Sequence, residues 1–241
     1  DILKGIDQAI CPPANLGWHK RLKSVHFNHY QQVAEEFSKI IDIDPWLIDP
    51  LFHYCGQVDF KKREGEECLA HNVEKLLAQI QKKYKAYNIP HEPFVIVKAD
   101  AGTYGMGVMM VKSADEVLAL NRKQRNKMSS GKGTNSVRRV IMQEGVYTFE
   151  NYGAENASAE PVVYMIGQNV VGGFYRLHKG RSNQESLNAP GMHFEPLQFA
   201  HSCSTPDSDL PPDDCPNRFY AYGVVARLSM LAAAREQREQ S

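Results

Sequence analysis

The segment FVIVKADAGTYGMGVMMV, residues 94–111, decides how the rest of the chain is interpreted. An apolar run at 94–97 ends at Lys98, and a second apolar run at 108–111 follows three glycines. Short β-branched runs on either side of a glycine-rich turn predict two strands joined by a flexible loop. Glycine lets backbone N–H groups approach phosphate oxygens closely and lysine supplies a point charge, so the loop is suited to lie over a polyphosphate. An ordinary glycine-rich hairpin is the alternative that this segment leaves open.

The spacing excludes two other phosphate-binding loops. No Gly-Lys-Ser/Thr sequence opens a helix after the glycines, so the segment is not a Walker A loop. The residues after the glycines have the pattern of a strand, which excludes the Rossmann fingerprint. A second glycine-lysine segment, residues 129–136, follows no strand and is interpreted as a linker.

Composition limits the class of protein and of partner. A chain of 241 residues can bury a sizeable core, as one large domain or two small ones. Its 28 basic residues balance 28 acidic residues, so net charge gives no reason to expect nucleic acid or a membrane surface as a partner. No apolar run reaches the roughly 18 residues of a transmembrane helix. The five scattered cysteines lack CxxC spacing, which favours reduced thiols in a cytoplasmic protein over a disulfide framework or a zinc site.

Apolar periodicity and capping residues predict the helices. Helices are expected over residues 30–41, 67–84, 114–127 and after Asn217. Ser113 and Glu116 have capping-box spacing, and Asn217 is a favourable N-cap residue.

Strand signals complete the secondary structure. Beyond the two strands of the opening segment, strands are predicted over residues 137–143, 160–166 and 170–176. The last two are joined by Gly-Gln-Asn, which has the turn chemistry of a hairpin. Helices mixed with antiparallel hairpins, without an internal repeat, place the chain in the α+β class.

The chemistry-bearing residues form an ordered series along the chain. Lys98 and the glycine loop are followed by a strand ending in Gln143-Glu144, a hairpin ending in Arg176, and a loop with Asn188. This series resembles the ATP-grasp superfamily, in which two α+β lobes clamp ATP between antiparallel sheets.

Within that superfamily the chain resembles the proteobacterial type of glutamate–cysteine ligase (gamma-glutamylcysteine synthetase). The segments that carry the resemblance are GWHKRLKS (17–24), DPWLIDP (44–50), REGEECLAHNVE (63–74), VKADAGTYGMGV (97–108), MQEGVYTFE (142–150), AEPVVYMI (159–166), VVGGFYRLH (170–178) and SLNAPGMHF (186–194). Family members have a further region N-terminal to this match, so the chain is expected to be their C-terminal part. The resemblance then implies three parts. Residues 1–66 are an N-terminal segment of that preceding region, residues 67–143 are a small lobe with the glycine loop, and residues 144–241 are a C-terminal lobe.

The resemblance implies an ATP-dependent carboxylate–amine ligase of glutathione biosynthesis. ATP would phosphorylate the γ-carboxylate of glutamate, and the cysteine amine would attack the acyl phosphate to give γ-glutamylcysteine, ADP and phosphate. The implied partners are these small molecules, not nucleic acid or a membrane, and a homo-oligomer is left open. Two alternatives stand beside it: another ATP-grasp ligase such as a glutathione synthetase, and a non-catalytic nucleotide-binding module.

The resemblance also implies roles for particular residues. The ATP-binding candidates are Lys98, Gly102, Gly105, Gly107, Gln143, Glu144 and Val146. In that scheme the lysine contacts phosphates, the glycines close over them, and residues 143–146 meet the adenine and ribose. The catalytic candidates are Arg176, which would clamp the transferring phosphoryl group, and Asn188, whose loop would cap the acyl phosphate.

Each role has a structural alternative, and the metal site has no clear ligands. Glu144 can be a solvated strand end, Arg176 an ion-pair partner of Glu160, and Asn188 a turn residue. The superfamily holds Mg²⁺ with a late acidic residue followed by a Glu-x-Asn pair, and no such pair follows Asn188. Either Glu160 with Asn188 supplies ligands for the implied Mg²⁺, or the chain lacks part of the site.

Overall fold

The computed structural model describes residues 5–8, 10, 17, 21–102, 107–130, 137–199, 201–205 and 217–239. The elements in chain order are α1 (Lys23–Ile41), a 3-10 helix (Pro45–Leu47), β1 (Phe52–Cys55), α2 (Glu66–Ala86), β2 (Val95–Ala99), β3 (Val108–Val111), α3 (Ala114–Leu118), α4 (Arg122–Ser129), β4 (Val140–Glu144), β5 (Asn151–Tyr152), β6 (Ala157–Ile166), β7 (Asn169–Leu177), β8 (His193–Pro196) and α5 (Arg218–Glu239). Among the described helices, none is long and apolar enough to cross a membrane.

The chain divides into two compact units. The first unit comprises the described residues within Asp1–Asn28 and Pro50–Val146, and the second those within His29–Asp49 and Tyr147–Ser241. Each unit contains a four-stranded sheet, in the orders β1-β4-β2-β3 and β5-β6-β7-β8, and every strand pair is antiparallel. The predicted α+β class with antiparallel sheets is therefore confirmed. The predicted borders at 66/67 and 143/144, and the ATP-grasp architecture, stay predictions.

In the first unit, α2 packs on one face of its sheet. The helix buries the stripe expected from its periodicity: Leu69, Val73, Leu76, Ile80 and Tyr84. Fully buried sheet residues such as Val95, Val97 and Met142 form the facing layer. Gly65 precedes the helix with φ +77°, and a Cβ there would lie 2.3 Å from the Gln57 carbonyl oxygen, so only glycine fits this start.

One prediction in the first unit needs correction, and one strand of that unit was not predicted. The single helix expected over 114–127 is two helices, because Asn121 starts a second capping box: its side chain accepts from Gln124 N at 3.0 Å, and Gln124 Oε1 accepts from Asn121 N at 2.9 Å. The predicted cap at Ser113 is confirmed by its hydrogen bond from Glu116 N at 3.4 Å. Strand β1 was missed because its Phe-His-Tyr-Cys sequence has no clear period and depends on pairing with β4.

In the second unit, α5 packs on one face of the other sheet. A buried cluster joins them through Ala159, Tyr175, Leu177, Leu197 and Phe219. The β6–β7 hairpin is confirmed, with Gly167 at φ +55° in its turn. Asn217 caps α5 as predicted, accepting from Tyr220 N at 3.2 Å. Strand β8, which was not predicted, pairs with β7 and completes the sheet.

Candidate functional site

Lys98 and Gln143 project from the same face of the first sheet. In the register, Lys98 lies opposite Ile141 and Gln143 lies opposite Ile96. Side chains alternate between faces along a strand, so these residues lie on the face that α2 does not cover, which we call the Lys98 face. Lys98 Nζ donates to Gln143 Oε1 at 2.5 Å. The structure therefore brings together two residues for which the resemblance implies nucleotide binding.

The charge of Lys98 has no acidic partner among the described residues. Its Nζ lies 5.9 Å from the centroid of the Phe27 ring, and its hydrogen-bond partner is a neutral amide. Burial lowers the pKa of Lys98 to about 8, and the positive charge of Lys23 contributes to that lowering. A half-buried cation without an acidic partner is stabilised by a bound anion, which favours its protonated form.

The start of the glycine loop is fastened to the first turn of α1. Lys23 Nζ donates to the carbonyl oxygens of Ala99, Asp100 and Gly102 at 2.8, 3.3 and 3.0 Å. The fully buried Asp100 carboxylate accepts from Ser24 N at 2.8 Å and from Ser24 Oγ at 2.7 Å. These contacts hold the backbone that follows Lys98. Sequence reasoning missed Lys23, Ser24 and Asp100, because the contacts join residues 76 to 79 positions apart.

Only the ends of the glycine loop belong to the described residues. Gly102 has φ +90°, and no described atom lies within 4 Å of the position that a Cβ would take there, while Gly107 has φ +62° and accepts from Ala99 N at 3.1 Å. Gly105 lies outside the part of the chain that the structure describes. Both flanking conformations favour glycine. The function of the loop as a cover over phosphates stays a prediction.

Glu144 and Val146 do not lie on the Lys98 face of the first sheet. Glu144 is only 6% exposed, its Oε2 accepts from Leu51 N at 3.0 Å, and its own N–H donates to Leu51 O at 2.7 Å. The alternative of a solvated strand end is therefore wrong. Because Glu144 lies opposite Val95 in the register, strand alternation puts it on the face that α2 covers. Val146 is exposed beyond the end of β4.

In the second unit, Arg176 forms an ion pair across the β6–β7 hairpin. Its Nη1 lies 3.1 Å from Glu160 Oε2, and the two residues are direct partners in the register. The sequence allowed for this pair, and the structure shows it. Arg176 Nε is also buried and has no hydrogen-bond partner among the described residues. The guanidinium is thus oriented by one carboxylate while it retains unused donors.

Glu160 also holds the loop that carries Asn188. Its second oxygen, Oε1, accepts from Leu187 N at 3.3 Å, and the Leu187 side chain is fully buried. His178 Nε2 lies 3.0 Å from Pro190 O on the other side of Asn188. One carboxylate therefore positions both the arginine and the residue next to Asn188.

A row of aromatic rings lies on the same face as Arg176, which we call the Arg176 face. The Tyr164 and Phe174 ring centroids are 5.7 Å apart, and those of Phe174 and Phe194 are 5.0 Å apart. Phe194 is the register partner of Arg176 on β8. Sequence reasoning missed this row, because its third member lies on the unpredicted strand.

The described residues do not fit a magnesium site. Within the described ranges, no three His, Cys, Asp or Glu side chains converge on one point. Both oxygens of Glu160, the candidate ligand, already accept hydrogen bonds, one of them from the Arg176 guanidinium. A cation beside that guanidinium would be repelled. The predicted pairing of Glu160 with Asn188 as metal ligands therefore has no support from this geometry.

The fold and these clusters define an α+β protein with two antiparallel sheets. Each sheet carries a basic side chain near a loop for which the resemblance implies ligand binding. The glutamate-cysteine ligase family matches residues 1–237. The chain belongs to that family.

A solved structure supports this assignment. The chain is 60% identical to a protein of Methylobacillus flagellatus KT described as "Putative gamma-glutamylcysteine synthetase", whose crystal structure superposes with a TM-score of 0.86. The match covers 100% of this chain and 56% of that chain, so this chain spans little more than half the length of its structural relative. The comparison with curated proteins gave no match.

Proposed function

We propose that this protein provides the nucleotide-binding and phosphoryl-transfer residues of an ATP-dependent ligase that joins the γ-carboxylate of glutamate to the amine of cysteine. The observation that carries the proposal is the match of residues 1–237 to the glutamate-cysteine ligase family. Formation of γ-glutamylcysteine is the first step of glutathione biosynthesis. Because the chain spans 56% of its structural relative, the substrates of the whole protein are part of the proposal.

The proposed reaction has two steps. The γ-carboxylate takes the terminal phosphoryl group of ATP, ADP leaves, and the cysteine amine then displaces phosphate from the acyl phosphate. The protein forms no covalent bond in this scheme. Its task is to compensate phosphate charge, to orient the reactants and to keep water from the acyl phosphate.

Lys98 is the proposed contact for the ATP phosphates. Its charge lacks an acidic partner in the described part of the first unit, and Gln143 fixes the direction of its amine. Neighbouring half-buried apolar side chains on the Lys98 face, Ile96 among them, suit the adenine ring. The contacts of Lys23 with Ala99 and Gly102 hold the adjoining loop backbone, so we propose that Lys23 is a positioning residue.

Arg176 is the proposed contact for the phosphoryl group in transfer. Its guanidinium is held by Glu160 and keeps Nε free of partners among the described residues. A preoriented guanidinium stabilises charge that develops in the transition state. Asn188 follows Leu187, whose N–H is bound by the same Glu160, so we propose that its amide contacts the acyl phosphate.

The family also implies Mg²⁺ with the nucleotide and a cytoplasmic location. Mg²⁺ would neutralise phosphate charge. Because the described residues offer no fitting ligand set, we assign no step to it.

The test is ADP release by the purified full-length protein with ATP and Mg²⁺, with glutamate and cysteine each omitted in turn. We expect ADP formation to require glutamate and γ-glutamylcysteine to appear only when cysteine is added. Arg176→Ala is the matched variant that should bind ATP but release ADP far more slowly than the wild type. ADP formation triggered by γ-glutamylcysteine with glycine would identify a glutathione synthetase. ATP binding without any turnover would identify a non-catalytic nucleotide-binding module.

A further inference from the structure

Two free cysteines meet where β1 ends and α2 begins. Cys55 is the last residue of β1, and Cys68 lies in the first turn of α2. Their Sγ atoms are 3.4 Å apart. Cys55 is buried at 8% exposure, whereas Cys68 is exposed. The proposed ligase function uses neither of them.

The surrounding structure fixes this proximity. Cys55 is the register partner of Val140, so strand alternation directs it to the face that α2 covers. Cys68 is fixed on α2, where Asn72 Nδ2 donates to its carbonyl oxygen at 2.9 Å and lies 3.5 Å from its sulfur. A disulfide bond is about 2.05 Å long, so the two sulfur atoms need to approach by about 1.4 Å. A change of side-chain rotamer can supply such a movement.

We propose that Cys55 and Cys68 are a modification site, at which the two thiols form a reversible intramolecular disulfide by exchange with a low-molecular-weight disulfide. The different exposure of the two sulfurs sets the order in which they react. Cys68 is accessible to the incoming disulfide, and the buried Cys55 is the resolving thiol. This inference does not depend on the proposed ligase function.

The exchange balances without any other reagent. The Cys68 thiolate attacks one sulfur of the small disulfide, and a first small thiol leaves and takes up a proton. The Cys55 thiolate then attacks Cys68 Sγ, and a second small thiol leaves. Two protein thiols are oxidised and one small disulfide is reduced to two thiols.

The buried thiol becomes a better nucleophile once the first step has occurred. Burial raises the pKa of Cys55 to about 11, and the hydrogen bond and the charge of Cys68 add to that rise. Both contributions of Cys68 end when its sulfur carries the small thiol. Thiolate formation at Cys55 is therefore favoured in the mixed disulfide over the fully reduced protein.

The experiment treats the reduced protein with oxidised glutathione, blocks remaining thiols with N-ethylmaleimide, and maps the peptides without reduction. We expect a linked pair of peptides whose mass is two hydrogen atoms less than the sum of the two reduced peptides. The linked pair should contain Cys55 and Cys68 and should separate after dithiothreitol. A glutathionyl group that stays on Cys68 of the wild type would overturn the proposal, as would two unmodified thiols.

Serine variants assign the order of the two sulfurs. Cys55→Ser should accumulate a stable glutathionyl adduct on Cys68, because the resolving thiol is missing. Cys68→Ser should leave Cys55 unmodified over the same time. Cys203→Ser, which changes a cysteine of the second unit, is the matched control and should leave the linked peptides unchanged. Equal rates of adduct formation on Cys55 and Cys68 would overturn the assigned order.

Discussion

The two sheets have the same arrangement but treat their basic residues differently. Each sheet buries one face under a long helix, α2 or α5, and carries its basic side chain on the other face. On the Lys98 face, the lysine donates to the neutral Gln143 amide. On the Arg176 face, the arginine pairs with the Glu160 carboxylate at 3.1 Å. Among the described residues, Lys98 has no acidic partner, and we call it uncompensated, whereas Arg176 is compensated by Glu160.

This difference suits two different tasks in the proposed reaction. An uncompensated, half-buried lysine gains protonation and stability when an anion binds, so it contributes to ground-state binding of phosphates. A guanidinium keeps its charge at all ordinary pH values, and a carboxylate partner fixes its orientation before the reaction starts. Fixed donors act most strongly where charge develops in the transition state. We therefore expect Lys98 to govern affinity and Arg176 to govern rate.

The largest expected effect is that of Arg176→Ala. Loss of a preoriented donor should lower kcat by about 10²–10³-fold, with a much smaller change in ATP affinity. Steady-state kinetics and a direct nucleotide-binding measurement separate the two quantities. Arg176→Lys is the matched control, because it keeps the charge and loses the fork geometry. Equal turnover by wild type and Arg176→Ala would remove the proposed distinction between the two sheets.

The next effect is the pH dependence of ATP binding through Lys98. The folded pKa is about 8 and the ordinary value is 10.5, so above about pH 8 an anion must bind together with a proton. Affinity should therefore fall by up to about tenfold per pH unit above that point. Lys98→Arg should bind with an affinity that does not change over the same range, because its guanidinium stays charged. A wild-type affinity that stays constant up to pH 10 would contradict the uncompensated state of Lys98.

The same pKa predicts that the stability of the protein rises with pH, whereas its affinity for ATP falls. Between about pH 8 and 10.5 the unfolded chain binds a proton at Lys98 that the folded chain has released. The free energy of unfolding should therefore rise with pH across this window, and the rise should be absent in Lys98→Met. Urea unfolding at several pH values measures it.

Glu160 allows a test of whether its carboxylate serves an arginine or a metal ion. If its task is to hold Arg176 and the Leu187 N–H, Glu160→Gln should lower kcat by about tenfold and leave the dependence on Mg²⁺ unchanged. If it is a metal ligand, the half-saturating Mg²⁺ concentration should rise. Glu160→Ala, which loses both hydrogen bonds, should be more impaired than Glu160→Gln. Titration with Mg²⁺ at saturating ATP distinguishes these outcomes.

The sequence predicted what depends on local patterns and missed what depends on distant partners. The stripe of α2 and the caps at Ser113 and Asn217 follow from residues a few positions apart, and the structure confirms them. Strands β1 and β8 are short and stable only through pairing with neighbours, so their own sequences gave no signal.

The candidate site divides in the same way. Lys98 and Arg176 stand at the ends of recognisable strands, and the resemblance to known ligases assigned them their predicted roles. The contacts of Lys23 and Ser24 with the glycine-loop backbone, and the row of aromatic rings on the Arg176 face, join residues distant in sequence. No local pattern contains such contacts. The burial of Glu144 was missed for the same reason, because its partner Leu51 is 93 positions away.

A smaller effect is expected at the base of the glycine loop. Lys23→Met removes donors to the Ala99, Asp100 and Gly102 carbonyls, and it should raise the KM for ATP by about three- to tenfold, the equivalent of about one hydrogen bond. Lys23→Arg should recover part of the loss. Amide exchange should become faster at residues 99–102 in Lys23→Met. Unchanged exchange there, with a raised KM, would show that Lys23 contacts the nucleotide itself.

The smallest expected effect on nucleotide binding is at Glu144, and it tests whether the two faces of the first sheet have separate tasks. The Glu144 carboxylate is bound to Leu51 N at 3.0 Å on the side that α2 covers, away from Lys98. Glu144→Ala should therefore lower the free energy of unfolding by about 1–3 kcal/mol, because the Leu51 N–H loses a charged acceptor. ATP affinity at a temperature where the variant stays folded should change by less than about twofold, below the equivalent of one hydrogen bond. Glu144→Gln, which keeps a neutral acceptor for Leu51, should lie between wild type and Glu144→Ala in stability. If Glu144 instead binds a ribose hydroxyl, both variants should bind ATP more weakly. The wild type, but neither variant, should then bind 2′- or 3′-deoxy-ATP more weakly than ATP. That result would contradict the assignment of binding to the Lys98 face alone.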